Sequence, residues 1–518
     1  MSQTYFIGVD IGTTSTKAIV FSTSGAIKGM GNRGYKIIVP KPTWAEQDPE
    51  AIFSAVIAAV RDAVDAAEVS KSAIAALGFS AATHSLIAVD AKNYPLTNAI
   101  IWADNRSINQ TEQLKQQDIK HDLYLRTGSP IHPVSVVTKL MWMRETNRDV
   151  FEKAAKFISI KEYVFYQLFE RYVIDYSIAS ATGLLNLKRL DWDEEALKLA
   201  GIRSEQLSEL VSSTHVLRGM KTRHAEVMRI APDTPVVIGA NDGVLANLGV
   251  GAIAKGEVAI TIGTSGAVRT VVDTPLTDEK ERTFCYALTE NHWVIGGPTN
   301  NGGIILRWFR DNFCMPEVET AKQLGVDPYD LMIEAAMEVS PGAEGLLCLP
   351  YLSGERAPHW NAKTRGLFFG VGLHHGRSHF IRAIMEGILF NVYSVNVALQ
   401  ELTGEIKEIR ASGGFARSTQ WRQLMADLFG IEVLMPEVYE GSGFGAAVLA
   451  MYSVGAIADL TDAQKLIRIT YRHQPDPYLV EIYCDLFSIY ERLYQNLENE
   501  FNAIADYQSQ AIKRKVTS

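Results

Sequence analysis

Cysteine is scarce: Cys285, Cys314, Cys348 and Cys484 are the only four in 518 residues, and they lie far apart. No CxxC pair and no Cys/His metal spacing occurs, which excludes a disulfide scaffold and a zinc module and predicts reduced thiols in a cytoplasmic protein. An excess of positive charge is also missing. Lys and Arg number 50 against 59 Asp and Glu, a net charge of −9, which argues against nucleic acid or an anionic membrane as partner. No apolar run is long and unbroken enough to span a bilayer. The N-terminus enters a strand with no basic segment before it, so no signal peptide is expected. There is no low-complexity linker. Two nucleotide motifs are absent as well. Without GxxxxGK[ST] the chain is not a P-loop enzyme, and without GxGxxG and a following acid in a βαβ unit, dinucleotide binding has no support.

What is present is an alternation of strand and helix signals in a chain too long for one core, so two large lobes are expected. Phe6–Asp10 and Ala18–Phe21 read as a hairpin, with β-branched residues flanking a Gly-Thr turn. Pro49–Ala67 reads as a helix capped by Asp48, apolar at Ile52, Val56, Ala59 and Ala63. Ile74–Phe79, Ile87–Val89 and Val236–Gly239 read as short buried strands, and Ser135–Glu145 and Val150–Lys156 as helices. Pro477–Asp506 reads as an amphipathic helix capped by Asp476, its aromatic face serving packing.

The first hairpin recurs. "IGVDIGTTSTKAIVF" (7–21) and "VAITIGTSGAVRTVV" (258–272) are each a strand, an Ile-Gly-Thr turn with Ser close behind, and a strand. Gly12 and Gly263 lie almost half a chain apart, which predicts two lobes on one plan, residues 1–245 and 246–518, unless the likeness is coincidence. A turn of Gly12, Thr13, Thr14 and Ser15 followed by Lys17 offers amides, hydroxyls and a cation to an anion. Asp10 beside it would repel phosphate unless a divalent cation stood between, and Mg²⁺ prefers one or two carboxylates with phosphate oxygens and water. The turn therefore reads as a magnesium–phosphate clamp, with Gly263, Thr264 and Ser265 as a second jaw; the plainer alternative is a polar turn with a capping acid.

Two glycine turns lead into helices. "RASGGFARSTQWRQLMADLFG" (410–430) follows the strand-like Ile406–Ile409, with Gly413 and Gly414 opening a loop and a helix starting near Ser418. Exposed backbone there suits a purine and its ribose; a bare strand–turn–helix joint is the alternative. "GPTNNGGIILRWFRD" (297–311) has a helix N-terminus that can meet a phosphate. In "GANDG" (239–243), Asp242 stands just past a buried strand between Gly239 and Gly243. Phosphoryl transfer to an alcohol needs a carboxylate that accepts the hydroxyl proton, and Asp242 is either that base or an Asx turn.

These residues together resemble the FGGY carbohydrate kinases of the actin-like superfamily, over nearly the whole chain. "DIGTTSTKA" is similar to the family's first phosphate motif, "TIGTSGAV" to the second, and "GGFARSTQWRQLMADLFG" to its adenosine motif. "GLFFGVGLHHGRSHFIRAIMEG" (366–387) fits the C-terminal signature and "KLMWMRE" (139–145) the core of the N-terminal one. The resemblance implies an α/β protein of two ribonuclease H-like lobes, the first sugar-binding and the second nucleotide-binding, closing a cleft over ATP, Mg²⁺ and a polyol. It implies Asp242 as catalytic base and Asp10 as the carboxylate near the metal. Thr13, Thr14, Thr264, Gly303, Arg307, Gly414 and Ser418 align with nucleotide-contacting positions. Members often form dimers, so a homodimer is an expectation.

The substrate region departs from the glycerol-kinase pattern: Thr83-His84 replaces an Arg-Glu pair, Val134 a Tyr, and Gly243 a Gln. That implies a wider pocket. A His at position 84 resembles xylulose and gluconate kinases, and the stretch from Lys139 to Trp192 resembles the gluconate kinases of the family most. The expectation is ATP-dependent phosphorylation of the sugar acid at its C6 hydroxyl. The alternatives are a xylulose or other pentulose kinase, and a non-catalytic nucleotide-binding sensor or actin-like assembly protein. "IWADNRS" (101–107) adds Trp102, Asp104 and Arg106. Arg106, His84 and Lys139 are candidates for the substrate carboxylate, bidentate Arg being the best chemical match. The alternatives are an Arg106–Asp104 ion pair or helix end, a Trp102 in the core, and a satisfied buried His84.

Overall fold

The computed structural model of the protein describes residues 4–437 and 440–516. The chain packs as two compact units. The first is Met1–Lys255 with Val271–Ile295 and Val438–Arg468; the second is Gly256–Thr270 with Gly296–Glu437 and Ile469–Ser518.

The first unit is built on β1 (Tyr5–Ile11), β2 (Ser15–Ser22), β3 (Ile27–Gly34), β4 (Ile74–Ala81), β5 (Val216–Leu217) and β6 (Val236–Asn241), in the order β5-β6-β4-β1-β2-β3. β1, β2 and β3 form an antiparallel meander, and β4 runs parallel to both β1 and β6. β1 and β4 are buried on both faces, which is why they read as near-continuous apolar runs. The helix Pro49–Ala67 packs on β2 and β3, with Asp48 Oδ1 accepting from Glu50 N at 2.9 Å and Ile52, Val56, Ala59 and Ala63 buried.

The opposite face is covered by the helix Gly441–Ser453, against β1, β4 and β6. Gly8 and Gly78 face each other in the β1–β4 register, and a Cβ on either would overlap a carbonyl of that helix, Gly443 O and Ala446 O respectively. Helix backbone thus lies directly on sheet backbone. Gly78→Ala is expected to destabilise the protein by about 3 kcal/mol, because backbone cannot yield as a side chain tip does. A urea-unfolding midpoint equal to wild type would contradict this packing.

The second unit repeats the plan. Six of the seven strands of its sheet, β7 (Glu257–Ile262), β8 (Gly266–Val272), β9 (His292–Thr299), β10 (Glu408–Ser412), β11 (Glu432–Pro436) and β12 (Ile469–His473), lie in the order β9-β8-β7-β10-β11-β12, and the seventh, Phe284–Thr289, pairs with β9. A hairpin, β7–β8, is again followed by parallel strands, β10 and β11, and by an antiparallel edge strand, β12. The internal repeat is therefore structural: each unit is ribonuclease H-like. The helix Arg377–Thr403 is central here. Among the described residues it is the one helix long and apolar enough to cross a membrane, yet 83% of its most apolar window is buried in the protein.

Local expectations hold with adjustments. Ser135 is the cap, not the first residue, of the helix Val136–Thr146. The helix expected over Val150–Lys156 is Arg148–Lys153; Ala154 turns extended, and Lys156–Ile158 leaves to pair antiparallel with Ile87–Val89. The strand expected at Ile406–Ile409 is Glu408–Ser412. The C-terminal helix is Pro477–Val516, ten residues longer than its pattern showed, and Tyr483, Phe487, Tyr490, Tyr494 and Phe501 on its aromatic face are buried.

Candidate active site

In the first unit three neighbouring parallel strands, β1, β4 and β6, end together. Asp10 lies one residue from the end of β1, Thr83-His84 follow β4, and Asp242 follows β6. Carboxyl ends of parallel strands are where α/β sheets place ligands, because loops rather than ladder bonds continue from them. Asp10 Oδ1 accepts from Ser80 Oγ at 2.7 Å across the β1–β4 pair. Burial, and next the charge of Asp242, push its carboxyl up to about 6, against the Ser80 hydrogen bond and the Lys17 charge. A buried carboxylate whose proton affinity is raised by a second acid invites a bound cation. The second hairpin has no such acid: Thr261 occupies the equivalent register and its hydroxyl meets Ser412 Oγ at 2.9 Å. The two copies share architecture, and only the first carries the carboxylate.

The turns are alike in their backbone. Gly12 N donates to Ser15 O at 3.1 Å and Gly263 N to Ser265 O at 2.9 Å. The closing pairs are Ile11↔Thr16 and Ile262↔Gly266, so the first turn is one residue longer. Among the described residues, the amides of Thr13 and Thr14, and of Thr264 and Ser265, have no hydrogen-bond acceptor, a disposition suited to an anion. The first turn is braced from behind. Tyr35 Oη donates to Gly12 O (2.6 Å), Gln47 Nε2 to Thr13 O (2.5 Å) and Trp102 Nε1 to Thr13 Oγ1 (2.8 Å). Trp102, half-buried, is thus a brace of the turn and not a core residue. Lys17 Nζ contacts both oxygens of Glu440 at 2.8 Å, so in this structure its charge is already paired.

Asp242 is the first residue of the helix Asp242–Gly249. The Asx cap is its neighbour: Asn241 Oδ1 accepts from Val244 N at 2.8 Å, which leaves the Asp242 carboxylate free of that duty. Its Oδ1 accepts from Gly243 N at 2.7 Å, and Ser442 Oγ donates to its carbonyl at 3.0 Å. Gly239, at φ 73°, lies so close to Phe79 O that no side chain fits, which explains one of the two glycines around Asp242.

Arg106 and Lys139, two of the three groups considered for a substrate carboxylate, are engaged inside the protein. Arg106 is corrected to the ion pair that its neighbour allowed. Nε reaches both oxygens of Asp104 (2.8 and 2.9 Å), Nη2 reaches Asp104 Oδ2 and Glu46 Oε1 (both 2.7 Å), and the guanidinium lies 3.8 Å from the Trp44 ring centroid. With its side chain 3% exposed it is a buried structural group, as is Asp104. Lys139 is fully buried and donates to His84 O (2.6 Å) and Ile101 O (2.9 Å). Burial draws its ammonium down to about 7, partly offset by Asp104 and reinforced by Arg106. It ties the loop after β4 to the segment leading into Trp102. His84, held at φ 64° with its ring edge-on to Tyr286, is the third.

In the second unit the helix Gly303–Phe313 sits on its hairpin turn. Gly302 N and Ile304 N donate to Thr264 O (both 3.2 Å) and Gly303 N to Gly263 O (2.7 Å). This corrects the reading of that helix N-terminus as a phosphate site, since its first amides are already paired to carbonyls. A Cβ at Gly303 would fall 2.9 Å from Gly263 O, so the glycine permits the contact. Arg307 is exposed on this helix. Ser418 caps the helix Thr419–Phe429, accepting from Trp421 N at 3.2 Å, and Gly414 opens the turn before it with open space where a Cβ would lie.

Ser80, Glu440 and Ser442 are site residues that the sequence did not single out. Ser80 lacks any signal; "EGSGFGAA" (440–447) has one, since glycines at that density mark close backbone approach.

The family models of the FGGY carbohydrate kinases match here, the N-terminal domain over residues 5–249 and the C-terminal domain over 258–454. The chain belongs to that family and is a carbohydrate kinase. It is 50% identical to a gluconokinase of Bacillus subtilis, over 99% of each chain. Among solved structures it is similar to the gluconate kinase of Lactobacillus acidophilus, with TM-score 0.92 and 35% identity over 97% of this chain and 100% of that one. A ligand-bound xylulose kinase from the same organism gives 0.91 and 35% over the same shares.

Proposed function

We propose that the protein transfers the γ-phosphoryl group of ATP to the C6 hydroxyl of gluconate, giving 6-phosphogluconate and ADP. The observation within the chain that carries this reading is the meeting of Asp10, the His84 loop and Asp242 at one end of β1, β4 and β6. The gluconate assignment rests on the full-length likeness to gluconokinase. Asp242 accepts the hydroxyl proton as the new O–P bond forms and the bond from the γ-phosphorus to the ADP oxygen breaks. The Thr13 and Thr14 amides receive phosphate oxygens, and Thr264, Gly303, Arg307, Gly414 and Ser418 belong to nucleotide binding. His84, in the loop after β4, is the group assigned to the substrate carboxylate.

Asp10 would hold Mg²⁺, directly or through water. Among the described residues no group of three or more His, Cys, Asp or Glu could hold a metal by itself. That fits a cation completed by phosphate oxygens and water, as Mg²⁺ prefers. When bound, Mg²⁺ would neutralise phosphate charge. A homodimer in the cytoplasm, with residues 1–245 for the sugar and 246–518 for the nucleotide, is part of the same proposal.

The test is a steady-state panel with ATP and gluconate, xylulose, ribulose and glycerol. Gluconate is expected to exceed the others in kcat/KM by about 10²-fold or more, since a site built for a charged group rejects analogues lacking it. Turnover of xylulose without gluconate would overturn the substrate and leave the kinase class standing.

A further inference from the structure

Behind Asp242 lies a charged pair for which the reaction as described has no use. Lys161 Nζ donates to Asp175 Oδ2 at 2.7 Å, with both side chains at most 2% exposed. The same ammonium donates to Ala240 O at 3.2 Å, and Asp175 Oδ1 accepts from Ile178 N at 2.9 Å, which caps the short helix Tyr176–Ser180. From that helix, Ser177 Oγ accepts from Asn241 N (3.1 Å) and from Asn241 Nδ2 (2.9 Å). Ser442 Oγ then holds Asp242 O. Three consecutive residues, Ala240, Asn241 and Asp242, are each gripped by a side chain from a different segment of the first unit.

A buried ion pair is a poor source of stability, because desolvating two charges offsets most of their attraction, and apolar or neutral replacements are often no less stable. Retaining one here needs another reason, and its place supplies it. Lys161 meets Ala240, the penultimate residue of β6 and two before the catalytic carboxylate, and Asp175 fixes both Lys161 and the helix that carries Ser177. Among the described residues, nearby Glu162 makes no hydrogen bond to the pair, although its charge acts on Lys161 and the charge of Asp175 acts on it. Its carboxylate accepts from Ser159 N and Ser208 Oγ (both 2.5 Å), and burial pushes it up to about 7.

We propose that Lys161 and Asp175, acting through Ala240 and Ser177, are positioning residues that set the aim of the Asp242 carboxylate. This rests on Asp242 being the base. Misplacing a reacting group by about 1 Å costs about 10²-fold in rate.

The experiment compares wild type, Asp242→Asn, the double variant Lys161→Met/Asp175→Asn, and Ser177→Ala. Steady-state kinetics with gluconate and ATP and thermal unfolding are measured on each. The double variant removes both buried charges while Asn still caps the helix. It is expected to melt close to wild type, with kcat lowered about 10²-fold and both KM values within about threefold. Ser177→Ala, which removes one small hydroxyl, is expected to lower kcat about tenfold with unchanged KM. A folded double variant with kcat within twofold of wild type would overturn the proposal. Should the double variant fail to fold, Ser177→Ala decides, and unchanged kcat there overturns it. Normal turnover by Asp242→Asn would instead remove the base on which the proposal stands, so the two failures are distinguishable.

Discussion

Asp242→Asn is expected to lower kcat with gluconate by about 10²–10⁴-fold, the range a positioned proton acceptor contributes. Asparagine keeps the size of the side chain and an oxygen for the Gly243 amide, now at 2.7 Å from Oδ1. The helix cap is unaffected, because Asn241 and not Asp242 supplies it. The fold should therefore survive, and equilibrium ATP binding should stay within about threefold. ADP release monitored against gluconate, beside direct nucleotide titration, separates the two quantities. A variant with wild-type kcat would reduce Asp242 to an acidic residue at a helix start. The substitution has a second consequence. The Asp242 charge is among the causes that raise Asp10, so residual activity in the variant should lose its acid limb at lower pH than wild type.

Asp10→Asn is expected to act on activity and stability in opposite directions. The carboxyl ionises at about 6 in the folded protein against an ordinary 3.8. Because its folded pKa is raised, the folded state binds this proton more tightly than the unfolded chain does. Its contribution to stability is therefore fully present below pH ~4, falls as pH rises toward 6, and stays lost above. Asparagine has no charge to desolvate and can still accept from Ser80 Oγ. At pH 8 the variant should be more stable by about 1–3 kcal/mol, counting ~1.4 kcal/mol per pKa unit and discounting for partial exposure. The gain should vanish near pH 4. Activity should fall by about 10²-fold or more as the cation loses its carboxylate. In the wild type, kcat/KM should decline below pH ~6, and kcat at lower pH, since a bound cation favours the ionised form. Thermal melts across pH 4–8 and pH–rate profiles check both signs. An Asp10→Asn protein that is fully active, or less stable at pH 8, would contradict this account.

Buried ionisable groups were the least legible part of the sequence. Arg106 looked like the best receptor for a carboxylate because a guanidinium matches one in shape, but Asp104, two residues away, has the same shape and is closer. Nothing in "WADNRS" says that Glu46 and Trp44 complete the enclosure, since they come from sixty residues upstream. Lys161 and Asp175 left no periodic trace at all. Ser80 became a site residue only through the β1–β4 register.

The turns were legible because their chemistry is local. Gly-Thr between β-branched runs makes a hairpin wherever it occurs, and its repeat at Gly263 foretold two units on one plan. Asp48, Ser418 and Asp476 announced helix starts because a cap bonds to amides two or three residues on. Near Lys153 the reading failed where a distant strand, Ile87–Val89, outcompeted helix propensity.

The order of residues alone therefore determined the repeated hairpin, the acids beside and after it, the helix caps and the family, since each is written in neighbouring residues. Only tertiary structure decided which charges are free to meet a substrate and which neutralise one another. It also decided that the Gly303 helix spends its first amides on a turn. These outcomes depend on burial and on partners brought from remote parts of the chain, and a group's charge state and availability are properties of its surroundings.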